Sequence, residues 1–233
     1  MKPLFTFLFA TFSVLVVAQQ LSSLEILDRS IKYHDPMGNW ENFRDTLFIV
    51  QTTPDRPESY RKIFIDKRAG TFGYSIERGQ DVVNCYLTAE TCEYTWNGQT
   101  NIPDTIVTQQ RLTRERAEMY RDYYLYLYGL PMKLKDKGTI LHESYDDYDF
   151  YGRESYRLKV TYQADVGEDT WYFYIDRKTF ALVAYQFFHD ESKFDGEYIL
   201  LEKEKTIQGI KMPQNRSWYT NKEKKLLGVD KLR

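Results

Sequence analysis

Apolar and polar side chains alternate at every second residue along most of this chain, and that alternation limits the fold more than any other feature. In SYRLKVTYQ, residues 155–163, Tyr156, Leu158, Val160 and Tyr162 oppose Arg157, Lys159 and Thr161. A period of two puts each set on its own face of a strand, one dry and one wet, as in an antiparallel sheet. The same spacing runs through RDTLFIVQT, SYRKIFIDK, TFGYSIE, DVVNCYL, TCEYTW, TWYFYID, ALVAYQFF, EYILLEKEK, IKMPQNRSWY and LLGVDKL, with Asn-Gly, Gly-Gln and Asp-Arg-Lys-Thr as turn signals between them. An open sheet of ten or more strands curls, and curling creates a concave side.

Two segments break the period-two pattern and carry helix end signals. In SSLEILDRSIKYHDP, Ser22 followed by Glu25 is a capping box, Leu24, Leu27 and Ile31 share a face, and Asp35-Pro36 ends the element. In LTRERAEMYRDYYLYLYGLP, Thr113 is the expected cap, Gly129 is expected just past the end, and Pro131 lies beyond it. Ala117, Tyr120, Tyr124 and Leu127 form the apolar stripe of this second helix. Its last turns, Tyr123 to Tyr128, are apolar all round, which fits either burial on several sides or a position across an apolar opening.

The expected fold class is α+β: a long curved antiparallel sheet, an incomplete barrel, with two helices covering its concave side. No strand-helix alternation of the parallel kind, internal repeat or linker divides the 233 residues. Residues 19–233 are therefore read as a single half-barrel domain, and residues 1–18, MKPLFTFLFATFSVLVVA, as a secretory signal peptide. Lys2 precedes an apolar run, with small Val16 and Ala18 before the cut, so the mature chain is expected to start at Gln19 or Gln20. The run is about fifteen residues against the roughly twenty that span a bilayer, so no transmembrane segment is expected in the mature chain. The expected location is outside the cytoplasm, periplasmic or extracellular.

Charge narrows the partners. The formal net charge is −2 and becomes −3 when Lys2 is removed, a poor match for nucleic acid. Lys222, Lys224 and Lys225 cluster, but Glu223 interrupts them in what reads as a hairpin turn. Cys85 and Cys92 sit on strands joined by a short loop, and in an oxidising compartment they are expected to form a disulfide; two cysteines alone cannot complete a zinc sphere.

No catalytic signature emerges. The three histidines, His34, His142 and His189, lack convincing partner sets, and Asp146, Asp147 and Asp149 lack the spacing of a calcium loop and read as an acidic strand end. There is no nucleophile elbow, metalloprotease helix or phosphate loop. No catalytic residue, metal ligand or cofactor is assigned. What remains is ring surface: 20 tyrosines, 14 phenylalanines and 4 tryptophans. In the hairpin TWYFYIDRKTFALVAYQF, Trp171, Phe173 and Ile175 belong to one face and Tyr172 and Tyr174 to the other.

HDPMGNW at 34–40, WYFYIDRKTFALVAYQF at 171–187, GIKMPQNRSWY at 209–219 and the closing LGVDKL resemble an uncharacterised family of secreted bacterial envelope proteins. The turn around Ile175–Thr179 and the Gly209–Pro213 element are also similar to the periplasmic lipoprotein-localisation carriers. That resemblance implies an incomplete barrel closed by helices, holding acyl chains in an apolar cavity, and a lipid or an acylated protein as partner. On this reading Tyr156, Leu158, Tyr162, Trp171, Phe173 and Ile175 form the wall, and Tyr120, Tyr124 and Leu127 the lid. The alternative is an envelope scaffold whose rings merely fill a core. A hydrolase of an envelope polymer ranks third, since no nucleophile, base and orienting group can be named.

Overall fold

The computed structural model describes residues 20–233, so the signal peptide expected at 1–18 lies outside the described residues. Twelve strands form one antiparallel sheet: β1 (Arg44–Thr53), β2 (Arg56–Asp66), β3 (Thr71–Arg78), β4 (Asp81–Leu87), β5 (Cys92–Trp96), β6 (Thr139–Phe150), β7 (Arg153–Tyr162), β8 (Thr170–Asp176), β9 (Leu182–Phe188), β10 (Glu197–Ile207), β11 (Ile210–Thr220) and β12 (Leu226–Leu232). Three helices accompany them: α1 (Ser23–His34), α2 (Asp104–Gln110) and α3 (Arg114–Gly129).

The strand order is β5-β4-β3-β2-β1-β12-β11-β10-β9-β8-β7-β6. First and last strands pair in the middle, so the two free edges, β5 and β6, are consecutive in the chain. The sheet has the connectivity of a barrel left open between those two strands. The segment joining them carries α2 and α3, and α3 thereby lies over the concave face.

Both expected helices form with their expected caps. The Ser22 hydroxyl accepts from the Glu25 amide at 3.2 Å while the Glu25 carboxylate accepts from the Ser22 amide at 2.8 Å, completing the capping box. Thr113 Oγ1 accepts from the Arg116 amide at 3.2 Å. Ile26 and Leu27 of α1 and Ala117, Tyr124, Leu127 and Tyr128 of α3 join one core with Leu47, Ile49, Ile63, Leu158, Phe173, Ile199, Met212 and Leu232 of the sheet.

The HDPMGNW segment pins the end of α1. Asp35 accepts from the amides of Asn39 and Trp40, both at 2.8 Å. His34 is buried between two strands: Nδ1 lies 2.7 Å from the Lys211 carbonyl, and Nε2 accepts from the Leu182 amide at 2.9 Å. The imidazole is therefore neutral, with its proton on Nδ1, and burial holds its pKa below the ordinary value.

Four details differ from the sequence expectation. Gly129 ends α3 as a helical residue rather than standing past it; a Cβ there would lie 2.4 Å from Trp40 Cζ2, so close approach, not a left-handed turn, requires glycine. Strand β6 was expected only as an acidic strand end at Asp146–Asp149, because the full TILHESYDDYDF is an acid-rich, mostly exposed edge with an irregular register between Leu141 and Tyr145. Charge on an edge strand blunts pairing with other chains, and the same charge hides the alternation. Helix α2 is additional; none of its residues is buried, so it has no apolar stripe to read. Cys85 and Cys92 are both free. Cys85 opposes Tyr94 and Cys92 opposes Leu87, which leaves the cysteines on a diagonal. Diagonal neighbours stand roughly 7–8 Å apart at Cα, beyond the usual span of a disulfide.

Candidate functional site

The register of β7 on β8 sets Tyr156 opposite Ile175, Leu158 opposite Phe173 and Val160 opposite Trp171. All of these face the concave side, as the alternation predicts. Leu158, Phe173, Ile175 and Tyr124 are each 0% exposed and packed into the core, where they touch neighbouring side chains rather than open space. Tyr156 lies at the α1 end of the face, stacked on Phe180 at 6.0 Å. Tyr120 sits on the opposite flank of α3, edge-on to Tyr74 at 5.1 Å, where it borders a cleft of about 100 Å³.

Tyr162, Trp171 and Leu127 line open space. A trough of about 560 Å³ runs between the C-terminal half of α3 and the start of β8, bordered by Leu125, Tyr126, Tyr162, Val166 and Trp171, with Lys133 and Lys137 at its rim. A second opening of about 410 Å³ is bordered by Leu127, Phe187, Ile199, Trp218 and Leu227. Both are lined by Tyr123, Tyr126 and Trp171, so they meet along that edge of the helix. The walls are stacked aromatics: Trp171 lies 4.8 Å from Phe187 and 5.5 Å from Tyr126, centroid to centroid. The Tyr126 and Tyr162 hydroxyls are 2.7 Å apart. The all-round apolar end of α3 thus serves both uses at once, Tyr124 and Tyr128 buried beneath it and Tyr123 and Tyr126 beside the trough.

Beneath the same helix lies a buried polar cluster. Arg61 Nη1 donates to the Tyr124 hydroxyl at 2.7 Å. Arg216, 1% exposed, donates from Nη2 to the Leu127 carbonyl at 2.8 Å and stacks 4.1 Å over the Tyr128 ring. Asp230 stands opposite Arg216 in the β11–β12 register and opposite Gln51 in the β12–β1 register. Burial pushes the Asp230 carboxyl up, while the Arg61 and Arg216 guanidiniums pull it down. Arg216 Nε and Nη1 and both Asp230 oxygens have no hydrogen-bond partner among the described residues. The arginines tie α3 to the sheet, and their remaining donors give this stretch of the concave face a charged character that its apolar surroundings do not share.

Sequence reasoning missed Arg61, Arg216 and Asp230. The signal was present as a break in parity: Arg216 follows Ile210, Met212 and Gln214 on one face, and Asp230 precedes Leu232 on the same face of its strand. A charge on the dry face of a strand marks a buried, paired group.

A family model described as a family of unknown function (DUF6503) matches residues 2–232. No curated protein matches the chain. Among solved structures, the chain is similar to a LolA superfamily protein from Nitrosomonas europaea at 12% identity, with 92% of each chain covered and a TM-score of 0.49. It is similar to an outer membrane lipoprotein-sorting protein domain from Vibrio parahaemolyticus at 8% identity, with 90% of this chain and 89% of that one covered and a TM-score of 0.41. A DUF1329 family protein from Desulfovibrio piger matches at 12% identity, over 89% and 90% of the two chains, with a TM-score of 0.41. At these identities and scores the likenesses carry neither a ligand nor an activity to this chain.

Proposed function

Because the chain belongs to the DUF6503 family of unknown function, we propose a function from its own geometry: it is an exported protein that binds an acyl chain in the trough beside α3. The observation that supports this reading is the meeting of two apolar openings at Tyr123, Tyr126 and Trp171. The trough is open along its length, which suits an acyl chain carried by a larger body, such as an acylated polypeptide, better than a lipid enclosed on all sides. Burying a dozen methylenes gains about 10 kcal/mol at roughly 0.8 each. Association costs of about 4 kcal/mol or more leave an affinity on the order of tens of micromolar. No charged anchor is required.

A second reading is favoured by the packed core. Phe173, Leu158 and Ile175 at 0% exposure are used as packing, as in a scaffold that offers only its surface. Titration of delipidated protein with dodecanoate and with an N-terminally acylated peptide, followed by displacement of a fluorescent fatty acid, separates the two. Val166→Asp, which sets a carboxylate in the trough wall, should weaken binding at least tenfold, and Lys62→Asp on the outer face should leave it unchanged. Absence of uptake of either probe, or equal binding by the two variants, overturns the acyl-chain reading in favour of the scaffold.

A further inference from the structure

The outer face of the sheet carries its own aromatic cluster, separate from the core: Phe150, Tyr174 and Tyr198 with Tyr172 and Tyr219 packed against them. Three turns rise around it and enclose a pocket of about 480 Å³, within the range of small-molecule sites. Their tips are Tyr151 in the β6–β7 turn, Phe194 in the loop before β10, and Lys224 in the β11–β12 turn. All three adopt left-handed backbone, with φ of 53°, 51° and 53°. Bulky side chains rarely take that conformation, and glycine or asparagine is the ordinary occupant. Neither ring is hidden from water: Tyr151 is 53% exposed and Phe194 50%. Core packing therefore does not explain two aromatics at such positions, whereas a shared pocket does.

The floor is polar and rigid. Tyr174 donates to Gln186 Oε1 at 2.7 Å, and Gln186 Nε2 donates to Asn221 Oδ1 at 2.9 Å. Asn221 Nδ2 in turn donates to the Phe187 carbonyl at 2.9 Å. Gln186 is 8% exposed and lines the pocket, and these bonds use only one of its two N–H groups and one lone pair of its oxygen. Two of the four charged groups of the wall, Arg157 and Glu191, are paired in place, while Asp149 accepts only from the Gly152 amide and Lys224 at the rim makes no salt bridge among the described residues. Arg157 lies between the Tyr148 and Tyr172 rings, at 4.5 and 4.9 Å, and pairs with Asp146 at 2.6 Å. Glu191 accepts from Tyr172 at 2.6 Å and from Lys159 at 3.0 Å.

A site for a phosphate or other strong anion would converge several free cations, whereas here Lys224 alone is unpaired and the carboxylates of Asp149 and Glu191 line the same wall; an apolar ligand would not need the amide floor. Flat rings beside planar hydrogen-bonding groups, with charges of both signs balanced around the wall, match a neutral ligand with one apolar face and a polar rim. A pyranose ring has that form, with axial C–H bonds that lie against aromatic faces and hydroxyls that exchange hydrogen bonds with amides and carboxylates. From this arrangement we infer that the outer-face pocket is a saccharide-binding site, with Tyr151 and Phe194 as stacking platforms and Gln186 as the polar contact on its floor. It lies across the sheet from the trough and does not depend on it.

The test is binding of the purified protein to an array of neutral and N-acetylated oligosaccharides, with hits titrated in solution by calorimetry. At least one oligosaccharide should bind, and Tyr151→Gly and Phe194→Gly should each weaken it at least tenfold. Both substitutions suit the local φ, so they should fold with unchanged or higher melting temperature. Tyr60→Ala, which removes an exposed tyrosine ring outside the pocket, should bind as the parent does. No bound oligosaccharide on the array, or full affinity in both glycine variants, overturns the proposal whatever the outcome of the acyl-chain titration.

Discussion

The hydroxyls of Tyr126 on α3 and Tyr162 on β7 meet at 2.7 Å and join the helix to the half of the sheet that borders the trough. Burial pushes the Tyr162 phenol up to about 12, so both groups are neutral at physiological pH and one donates to the other. Replacing either by phenylalanine leaves the remaining hydroxyl without its partner. Each single variant should lose about 1 kcal/mol in urea unfolding, and the double variant should cost no more than the worse single. Additive losses would show that the two hydroxyls act independently.

Gly129→Ala tests how α3 is docked. The added methyl would meet Trp40 Cζ2 at 2.4 Å and Lys133 Cγ at 2.7 Å. Lysine can swing away, but Trp40, 2% exposed and packed at 5.4 Å on Phe43, cannot. Overpacking of this kind costs about 1–3 kcal/mol, and the helix gain from alanine offsets less than about 1 kcal/mol of it. The expected outcome is a net fall in melting temperature, rescued in part by Trp40→Phe. An unchanged or higher melting temperature would mean that α3 moves freely at this end.

Sheet, helices and face assignment were legible because each has a local cause. Alternation fixed which side of Trp171, Phe173 and Ile175 turns inward, and caps fixed both long helices. The location of open space was not legible. Whether Phe173 lines a cavity or fills a core depends on how far the sheet curls and where α3 comes down, and both are set by the unpaired edges β5 and β6, far apart in sequence from Phe173. The buried cluster of Arg61, Arg216 and Asp230 also joins distant strands, so its partners appear only once β1, β2, β11 and β12 are adjacent. Of strand β6 only the acidic end was legible, because its acidic residues serve an edge and mask the alternation.

His34 should make stability depend on pH below neutrality. Its folded pKa lies below the ordinary value of 6.5, because burial disfavours the charged ring. The unfolded chain therefore takes up the proton first as pH falls. Stability from this residue is fully present above about pH 6.5 and is lost progressively below it. Protonation also removes the acceptor that Nε2 offers the Leu182 amide. Asp230, pushed up by burial, acts in the opposite sense at lower pH, so the difference between parent and variant is the informative quantity. His34→Gln should be less stable than the parent at pH 7.5, and the gap should narrow towards pH 5. A gap that is constant over this range would show that His34 stays neutral in both states or is charged in both.

The cysteines provide the last test. Cys85 is buried, and burial, reinforced by the neighbouring Cys92, pushes its thiol up to about 12. It is a neutral thiol at pH 8 and a poor nucleophile. Cys92 is only half-buried, at the start of edge strand β5, where reagents reach it from solvent. A disulfide reagent added to the folded protein at pH 8 should therefore label Cys92 in minutes and Cys85 only on the timescale of unfolding. Both should react in denaturant without prior reduction. If neither reacts in denaturant until a reductant is added, the cysteines are bonded in the native protein. Removing either cysteine would then lower stability by about 2–3 kcal/mol.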